Sequence, residues 1–301
     1  MKLIIPPKLK KGNTIAIVAT ARKINVSEYS AAIEVFESWG LHVVVAENVS
    51  GEYHQFAGTD SERVAGIQKY INDSGIQAIV CVRGGYGTLR IIDQIDFSSL
   101  EKKPKWICGY SDVTVIHNHM LAKHGISSLH STMPVNMKTN SAEAIESLRK
   151  ILFGEKTEYK INFHHLNRTG TAEGILCGGN LSLIYALNGS DSMPDMSGKI
   201  LFLEDLDEYL YHFDRMMMNL KRSGILKKIS GLIIGGLTGM KDNAVPFGKT
   251  AEEIIAKHVS EFYYPVCFGF PAGHIDDNRA LIMGGKVKLS VDKTQTHLEF
   301  L

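Results

Sequence analysis

Apolar residues in the first half of the chain follow two alternating rhythms. Thr14-Ile15-Ala16-Ile17-Val18-Ala19-Thr20 is an unbroken β-favouring run, the pattern of a strand covered on both faces. After it, Tyr29, Ala32, Ile33, Phe36 and Trp39 fall at helical spacing, and Gly40 supplies a stop. Residues 41–46 predict a second strand. Thr59-Asp60-Ser61-Glu62 fits a capping box, and Val64, Ile67 and Ile71 continue one face of that helix until Gly75. Residues 76–82 predict a third strand, 105–108 a fourth with a helix after Ser111, and 125–133 a fifth. Ala144, Ile145, Leu148, Ile151 and Leu152 form a further helical face. Strand and helix in this alternation predict a parallel sheet with right-handed crossovers, whose ligands bind beyond the carboxyl ends of the strands.

The rhythm fades from about residue 155 to 173, where Asn167-Arg168-Thr169-Gly170-Thr171 reads as a linker. The expected division is therefore 1–155 as a doubly wound α/β domain, 156–173 as linker and 174–301 as a β-rich domain. Strands at 200–203, 232–237 and 266–270 are short. Leu281-Ile282-Met283 and residues 287–291 flank Gly284-Gly285, which predicts a hairpin. Tyr209, Phe213, Met216, Met217 and Leu220 make an apolar helical stripe, read as core.

Composition narrows the function classes. The 301 residues suit two domains, at about 150 residues each. Lys plus Arg is 33 and Asp plus Glu is 32, a formal charge of +1 that argues against nucleic acid as partner. At 44% hydrophobic and 22% charged residues, the chain matches an ordinary globule. No apolar run approaches the ~20 residues of a membrane span, and the start lacks the apolar core of a signal peptide. The four cysteines (Cys81, Cys108, Cys177, Cys267) form no C-x-x-C pair, and three sit in apolar runs. They read as buried, reduced thiols, which makes a cytoplasmic location the expectation.

Four segments could carry chemistry. Arg83-Gly84-Gly85-Tyr86-Gly87 follows the third strand and could cradle an anion or oxyanion on its backbone N–H groups, or serve only as a tight turn. It is neither a dinucleotide fingerprint nor a P-loop. Gly109-Tyr110-Ser111-Asp112 sits where a strand gives way to a helix. A serine there projects its hydroxyl above the sheet with the Asp112 N–H beside it, although Val113 replaces the second glycine of G-x-S-x-G and a helix cap is the plainer alternative. Glu204-Asp205-Leu206-Asp207-Glu208 follows an apolar strand; a carboxylate at that end could orient a histidine, while Asp207 and Glu208 read as a solvated turn. His274 lies in the loop Pro271-Ala272-Gly273-His274-Ile275-Asp276, able to act as base and then acid, with an ordinary loop histidine as the plainer alternative. His117 with His119, and His164 with His165, lack the spacing of a zinc hydrolase.

Together these segments resemble a known family. Pro6-Pro7-Lys8-Leu9-Lys10-Lys11-Gly12-Asn13-Thr14-Ile15-Ala16, Arg83–Gly87, Gly109–Asp112, Gly178-Gly179-Asn180-Leu181-Ser182, Phe202-Leu203-Glu204-Asp205, Phe213-Asp214-Arg215-Met216 and Gly273-His274 with Asp277-Asn278-Arg279 come in the order found in the LD-carboxypeptidases, serine peptidases that trim muropeptides. The resemblance spans nearly the whole chain. It implies a flavodoxin-like or Rossmann-like amino-terminal domain, a smaller β-rich carboxyl-terminal domain, and a site in the cleft between them. It also implies a triad of Ser111, Glu204 and His274, with the backbone N–H groups of Asp112 and Gly85 as oxyanion hole.

By the same resemblance the substrate is a murein tetrapeptide cut at the L,D amide before terminal D-alanine, with no cofactor or metal. Arg83, Tyr86 and Arg279 are candidates for binding substrate. Neither nucleic acid nor membrane is expected as partner, and a homodimer is compatible with the family. After the first strand the family often has a Pro/Ser-rich loop, whereas this chain reads Ala19-Thr20-Ala21-Arg22-Lys23, a departure that bears on specificity. Two alternatives stay open: an amidase of a peptidyl-nucleotide antibiotic giving self-immunity, and a non-catalytic protein that binds phosphate or sugar.

Overall fold

The alternating rhythm of the first half folds as a doubly wound sheet. The computed structural model describes residues 3–301. It divides into two units, one of Met1–Lys156 with Asp276–Gly284, the other of Thr157–Ile275 with Gly285–Leu301. The first contains β1 (Thr14–Val18), α1 (Val26–Ser38), β2 (His42–Val45), α2 (Asp60–Asn72), β3 (Ile76–Cys81), α3 (Thr88–Ile91), α4 (Ser99–Lys102), β4 (Trp106–Gly109), α5 (Thr114–His124), β5 (Ser128–His130) and α6 (Ala142–Leu152).

Strands β2, β1, β3, β4 and β5 lie side by side in that order, all parallel. This is the flavodoxin-type order, with its switch point between β1 and β3. Ile15, Ile17, Ile79, Val80 and Ile107 are fully buried. With both faces of the sheet covered, the strands stay apolar throughout instead of alternating. The capping box at α2 forms as the sequence predicts: Thr59 Oγ1 accepts the Glu62 N–H at 3.3 Å, and Glu62 Oε2 accepts the Thr59 N–H at 2.7 Å. The fifth strand is shorter than 125–133. Gly125 takes φ +66° to cap α5, and Ile126 only bridges Ile4, so pairing begins at Ser128.

The second unit contains β6 (Glu158–Asn162), β7 (Gly170–Asn180), α7 (Leu181–Leu187), β8 (Ile200–Leu206), α8 (Leu210–Arg222), α9 (Ile225–Lys228), β9 (Gly231–Thr238), α10 (Ala251–His258) and β10 (Val266–Cys267). The chain then returns to the first unit for β11 (Leu281–Met283), and to the second for β12 (Lys286–Val291) and β13 (Gln295–Phe300). The seven-stranded sheet runs β10-β9-β8-β7-β12-β13-β6. Its β10 to β7 half is parallel and its β7 to β6 half antiparallel. Phe213, Met216, Met217 and Leu220 are fully buried along α8, so the apolar stripe is core; Tyr209, which precedes the helix, is 43% exposed.

Two expectations are corrected. Residues 156–173 are not a structureless linker: they hold β6 and the start of β7, both in the second sheet. Nor do the strands flanking Gly284-Gly285 form a hairpin. β11 pairs antiparallel with β5, whereas β12 pairs with β7 and β13. The hairpin of this region joins β12 to β13, and its turn is built by a side chain: Asp292 Oδ1 accepts the N–H groups of Thr294 at 2.6 Å and Gln295 at 2.8 Å. Among the described residues no helix is long and apolar enough to cross a membrane.

Candidate active site

In the first unit, chemistry gathers at the carboxyl ends of β3 and β4, beside the switch point. Ser111 has φ +61°, one of three non-glycine residues with positive φ among the described residues. A left-handed backbone costs an L-residue free energy, and a serine held so on a strand-to-helix turn stands proud of the sheet. Neither Ser111 nor Asp112 caps the helix. The N-cap position of α5 is Val113, which makes no side-chain cap, so the plainer reading of this motif does not hold. Behind the turn, His117 spans Ser128 Oγ and the Gly109 carbonyl, both at 2.8 Å. A carbonyl only accepts, so Nε2 carries the hydrogen and Nδ1 accepts from Ser128. Burial lowers the pKa of His117 to about 3, which keeps the ring neutral in this role.

The glycine turn packs directly on the serine turn. A β-carbon at Gly84 would lie 2.9 Å from Ser111 Cβ, 3.0 Å from its Oγ and 3.2 Å from the Asp112 nitrogen, so only glycine permits this approach. Gly85 has φ +115° and is overlaid by the Arg22 side chain, 2.6 Å from where a β-carbon would sit. Thus the segment after β1, through Arg22, reaches the glycine turn. Arg83 donates from Nη1 to the Lys23 carbonyl at 3.1 Å, and Glu28 Oε1 lies 3.9 Å away. Tyr86 is 41% exposed, its ring 6.1 Å from that of Phe56. Arg279, also in this unit, is held by Asp277 through Nε at 3.0 Å and Nη2 at 2.9 Å.

In the second unit, Glu204 is fully buried near the end of β8. The β8–β9 register shifts between Leu203 and Asp205, an irregularity of the kind that re-aims a side chain. Glu204 Oε2 accepts the His274 backbone N–H at 3.2 Å and meets His274 Nδ1 at 2.6 Å. The carboxylate accepts, so Nδ1–H donates and the neutral ring carries its basic lone pair on Nε2. Gly273 makes the closure possible. It has φ +108°, and a β-carbon there would fall 2.7 Å from Glu204 Cβ. The Thr238 hydroxyl donates to the His274 carbonyl at 2.7 Å, fixing the loop from its other side. Burial by itself lowers the imidazole pKa, but the charge and hydrogen bond of Glu204, with Asp205 and Asp207 behind it, outweigh that and raise it above 6.5.

Asp205, next along β8, turns to other partners. Its Oδ1 accepts Asn180 Nδ2 at 2.9 Å and its Oδ2 the Ser182 N–H at 3.1 Å. Burial, then the neighbouring Glu204 charge, raises its pKa to about 7. This links Gly178–Ser182, a segment without an assigned role in the sequence reading, to the acidic strand end. Signals for it existed, since Asn180 also caps α7. The thiols are no rivals to Ser111: burial pushes Cys81, Cys177 and Cys267 to about 12, and all four cysteines are buried and unpaired as disulfides. Among the described residues no three His, Cys, Asp or Glu side chains gather as a metal-binding group.

Residues 15–131 match the LD-carboxypeptidase N-terminal domain, and residues 173–289 the LD-carboxypeptidase C-terminal domain. A probable murein peptide carboxypeptidase of Bacillus subtilis is 30% identical over 306 residues, covering 98% of this chain and 94% of the relative. The crystal structure of muramoyltetrapeptide carboxypeptidase from Oxalobacter formigenes superposes with a TM-score of 0.87 at 30% identity, covering 96% of this chain and 98% of that one. The microcin C7 self immunity protein MccF shares the fold, with a TM-score of 0.87 at 20% identity over 99% of each chain. With both domain models matched in order across most of its length, this chain belongs to the LD-carboxypeptidase family, peptidase family S66.

Proposed function

We propose that the protein is a serine-type LD-carboxypeptidase that releases terminal D-alanine from a murein tetrapeptide by hydrolysing the L,D amide. The observation that carries this reading is the buried Glu204 carboxylate on His274 Nδ1 at 2.6 Å, an arrangement that makes Nε2 a base and steadies the imidazolium that follows. His274 takes the proton of Ser111 as Ser111 Oγ bonds to the scissile carbonyl carbon. The N–H groups of Asp112 and Gly85 hold the oxyanion, each contributing roughly 3 kcal/mol in comparable sites. The tetrahedral adduct collapses, the C–N bond breaks, and imidazolium passes its proton to the leaving amine of D-alanine. Water, deprotonated by His274, then attacks the Ser111 ester and restores the hydroxyl.

A carboxypeptidase must also grip the terminal carboxylate. Arg83 and Arg279 are both partly exposed, but a bidentate Asp277 contact neutralises Arg279, while Arg83 meets a carbonyl at 3.1 Å and a carboxylate at 3.9 Å. Arg83, one residue before the glycine packed on Ser111, is the better carboxylate ligand, with Tyr86 beside it. The likeness to MccF favours the amidase of a peptidyl-nucleotide antibiotic as second reading.

One assay decides between them. Purified protein is incubated with an L,D tetrapeptide ending in D-alanine, its L-alanine epimer and an aminoacyl sulfamoyl nucleoside. Release of D-alanine alone, abolished by Ser111→Ala, is the expected result. Cleavage of the nucleoside conjugate alone would assign the amidase, and turnover surviving Ser111→Ala would remove the serine mechanism.

A further inference from the structure

Resting on the reading of Ser111 and the Asp112 amide given above, we propose that the side chain of Asp112 is a positioning group. Its carboxylate locks the glycine turn after β3 against the serine turn after β4 and so fixes the spacing of the two oxyanion amides. The backbone of Asp112 and its side chain thus have separate tasks.

The glycine turn is fastened at both ends. At its start, Gly84 packs on Ser111 and on the Asp112 nitrogen, as described. At its end, Asp112 Oδ2 accepts the Thr88 N–H at 2.8 Å. Thr88 is the first residue of α3, and the N-cap residue, Gly87, has no side chain to satisfy that helix end. A carboxylate from a different turn does it instead. Cap and capped segment therefore cannot separate without moving the glycine turn away from Ser111.

Beneath this contact lies a second brace. Thr88 Oγ1 meets Thr20 Oγ1 at 3.1 Å, and the Thr20 carbonyl accepts Arg63 Nη1 at 2.9 Å. Arg63 is fully buried, and Gly87 rests against it so closely that a β-carbon would fall 2.1 Å from Nη1. Phe56 stacks under the guanidinium at 4.7 Å, and Asp60 pairs with Nη2.

A structural cap alone does not account for the arrangement. Asp112 is 2% exposed, and among the described residues its Oδ1 accepts no hydrogen bond. A buried acceptor left unmatched costs free energy, which a neutral cap such as Ser or Thr would avoid. The charged groups facing the carboxylate are Arg63 and Arg22, with the Cys81 thiol nearby. Burial raises its pKa, while the Thr88 hydrogen bonds and the two arginines act in the opposite sense.

The test compares Asp112→Ala, Asp112→Asn and Ser111→Ala on the L,D tetrapeptide, with thermal melting of each. Asp112→Ala should lower kcat by about 10²-fold with KM within about 3-fold, the signature of support lost in the transition state only. Asp112→Asn keeps an oxygen for the Thr88 N–H and should recover at least about 10-fold of that loss. A kcat within about 2-fold of the parent for Asp112→Ala, or no recovery in Asp112→Asn, overturns the proposal. If Asp112→Ala does not fold, Asp112→Leu, which keeps the side chain's size but offers the Thr88 N–H no acceptor, takes its place: a lowered kcat at constant KM supports the proposal, and a kcat within about 2-fold of the parent overturns it. Ser111→Ala keeps the two readings apart, because activity surviving there refutes the nucleophile whatever Asp112 does.

Discussion

The two units prepare their functional groups by opposite physical means. At the ends of β3 and β4 the device is backbone geometry. A positive φ at Ser111, a glycine pressed against its hydroxyl and a neutral buried histidine on the Gly109 carbonyl set positions without placing any charge on the proposed nucleophile. At the end of β8 the device is charge. A fully buried carboxylate sits on an imidazole, and its field shifts where that ring titrates. In the proposed mechanism a hydroxyl and amide donors need to be aimed, whereas a base needs its proton affinity set, and each unit supplies what its groups would require.

The largest effects should show whether these two devices form one machine. Ser111→Ala and His274→Ala should each cost about 10⁴–10⁶-fold in kcat/KM, and the double variant should be no worse than either single one. Losses that multiply would mean that the two sites act independently, which breaks the comparison at its root. Steady-state kinetics on the three variants gives the answer.

Next in size is the charge itself. Glu204→Gln should lower kcat about 10³–10⁴-fold, because the imidazolium loses its counter-charge and the ring its fixed tautomer. It should also move the pH profile. With the His274 pKa raised above 6.5, the parent's kcat/KM should climb through a pH above that value as the ring becomes neutral. Removing the carboxylate leaves burial as the main influence, so the limb should move to lower pH. Stability follows the same raised value: the pair contributes fully below the unfolded-state pKa, and the contribution is lost as pH rises through the folded one. A rate profile unmoved in Glu204→Gln would show that Glu204 does not set the proton affinity of the base.

Much of this was legible in the sequence, and the remainder was hidden for an identifiable reason. Local patterns announce local structure: the run at 14–20 forms β1, the Thr59–Glu62 box starts α2, and Ser111 and Glu204 lie at the strand ends where their segments put them. Features made by segments distant in the chain left no such mark. The β11 and β12 runs look like one hairpin, because nothing local says that β5 pairs with the first and β7 with the second. Chain spacing tests His117 only as a metal ligand, because its contacts depend on Gly109 and Ser128 folding around it. The Asp112 carboxylate reads as a helix cap and is one, but for α3 rather than α5.

A smaller effect probes the geometric device from beneath. Arg63 is fully buried, paired with Asp60 and bonded to Thr20, whereas Arg90 reaches the same Asp60 from the surface. Arg63→Ala strips a buried charge from its partners and should cost about 3–5 kcal/mol of folding stability. Arg90→Ala removes an exposed, solvent-screened partner and should cost far less. Chemical denaturation of both separates a brace from an ornament. Equal losses would mean that the site beneath the glycine turn is not specially supported.

The smallest effect compares the units through a device they share. Thr59 starts α2 in the first unit and Thr250 starts α10 in the second, each with a reciprocal capping box to a glutamate three residues on. Thr59 Oγ1 receives the Glu62 N–H at 3.3 Å and Thr250 Oγ1 the Glu253 N–H at 3.2 Å. Geometry so alike predicts like costs, and Thr→Ala at either position should remove about 1 kcal/mol. The consequence for activity should differ. Thr59 precedes by one residue Asp60, the partner of Arg63, so fraying there loosens the brace under Gly87, and kcat should fall by a few-fold. Thr250 starts a helix whose cap closes on Glu253 alone among the described residues, and kcat should stay within error. Denaturation midpoints paired with kcat for the two variants read both quantities. An equal drop in kcat for both would show that global stability, and not the support beneath the glycine turn, governs the rate.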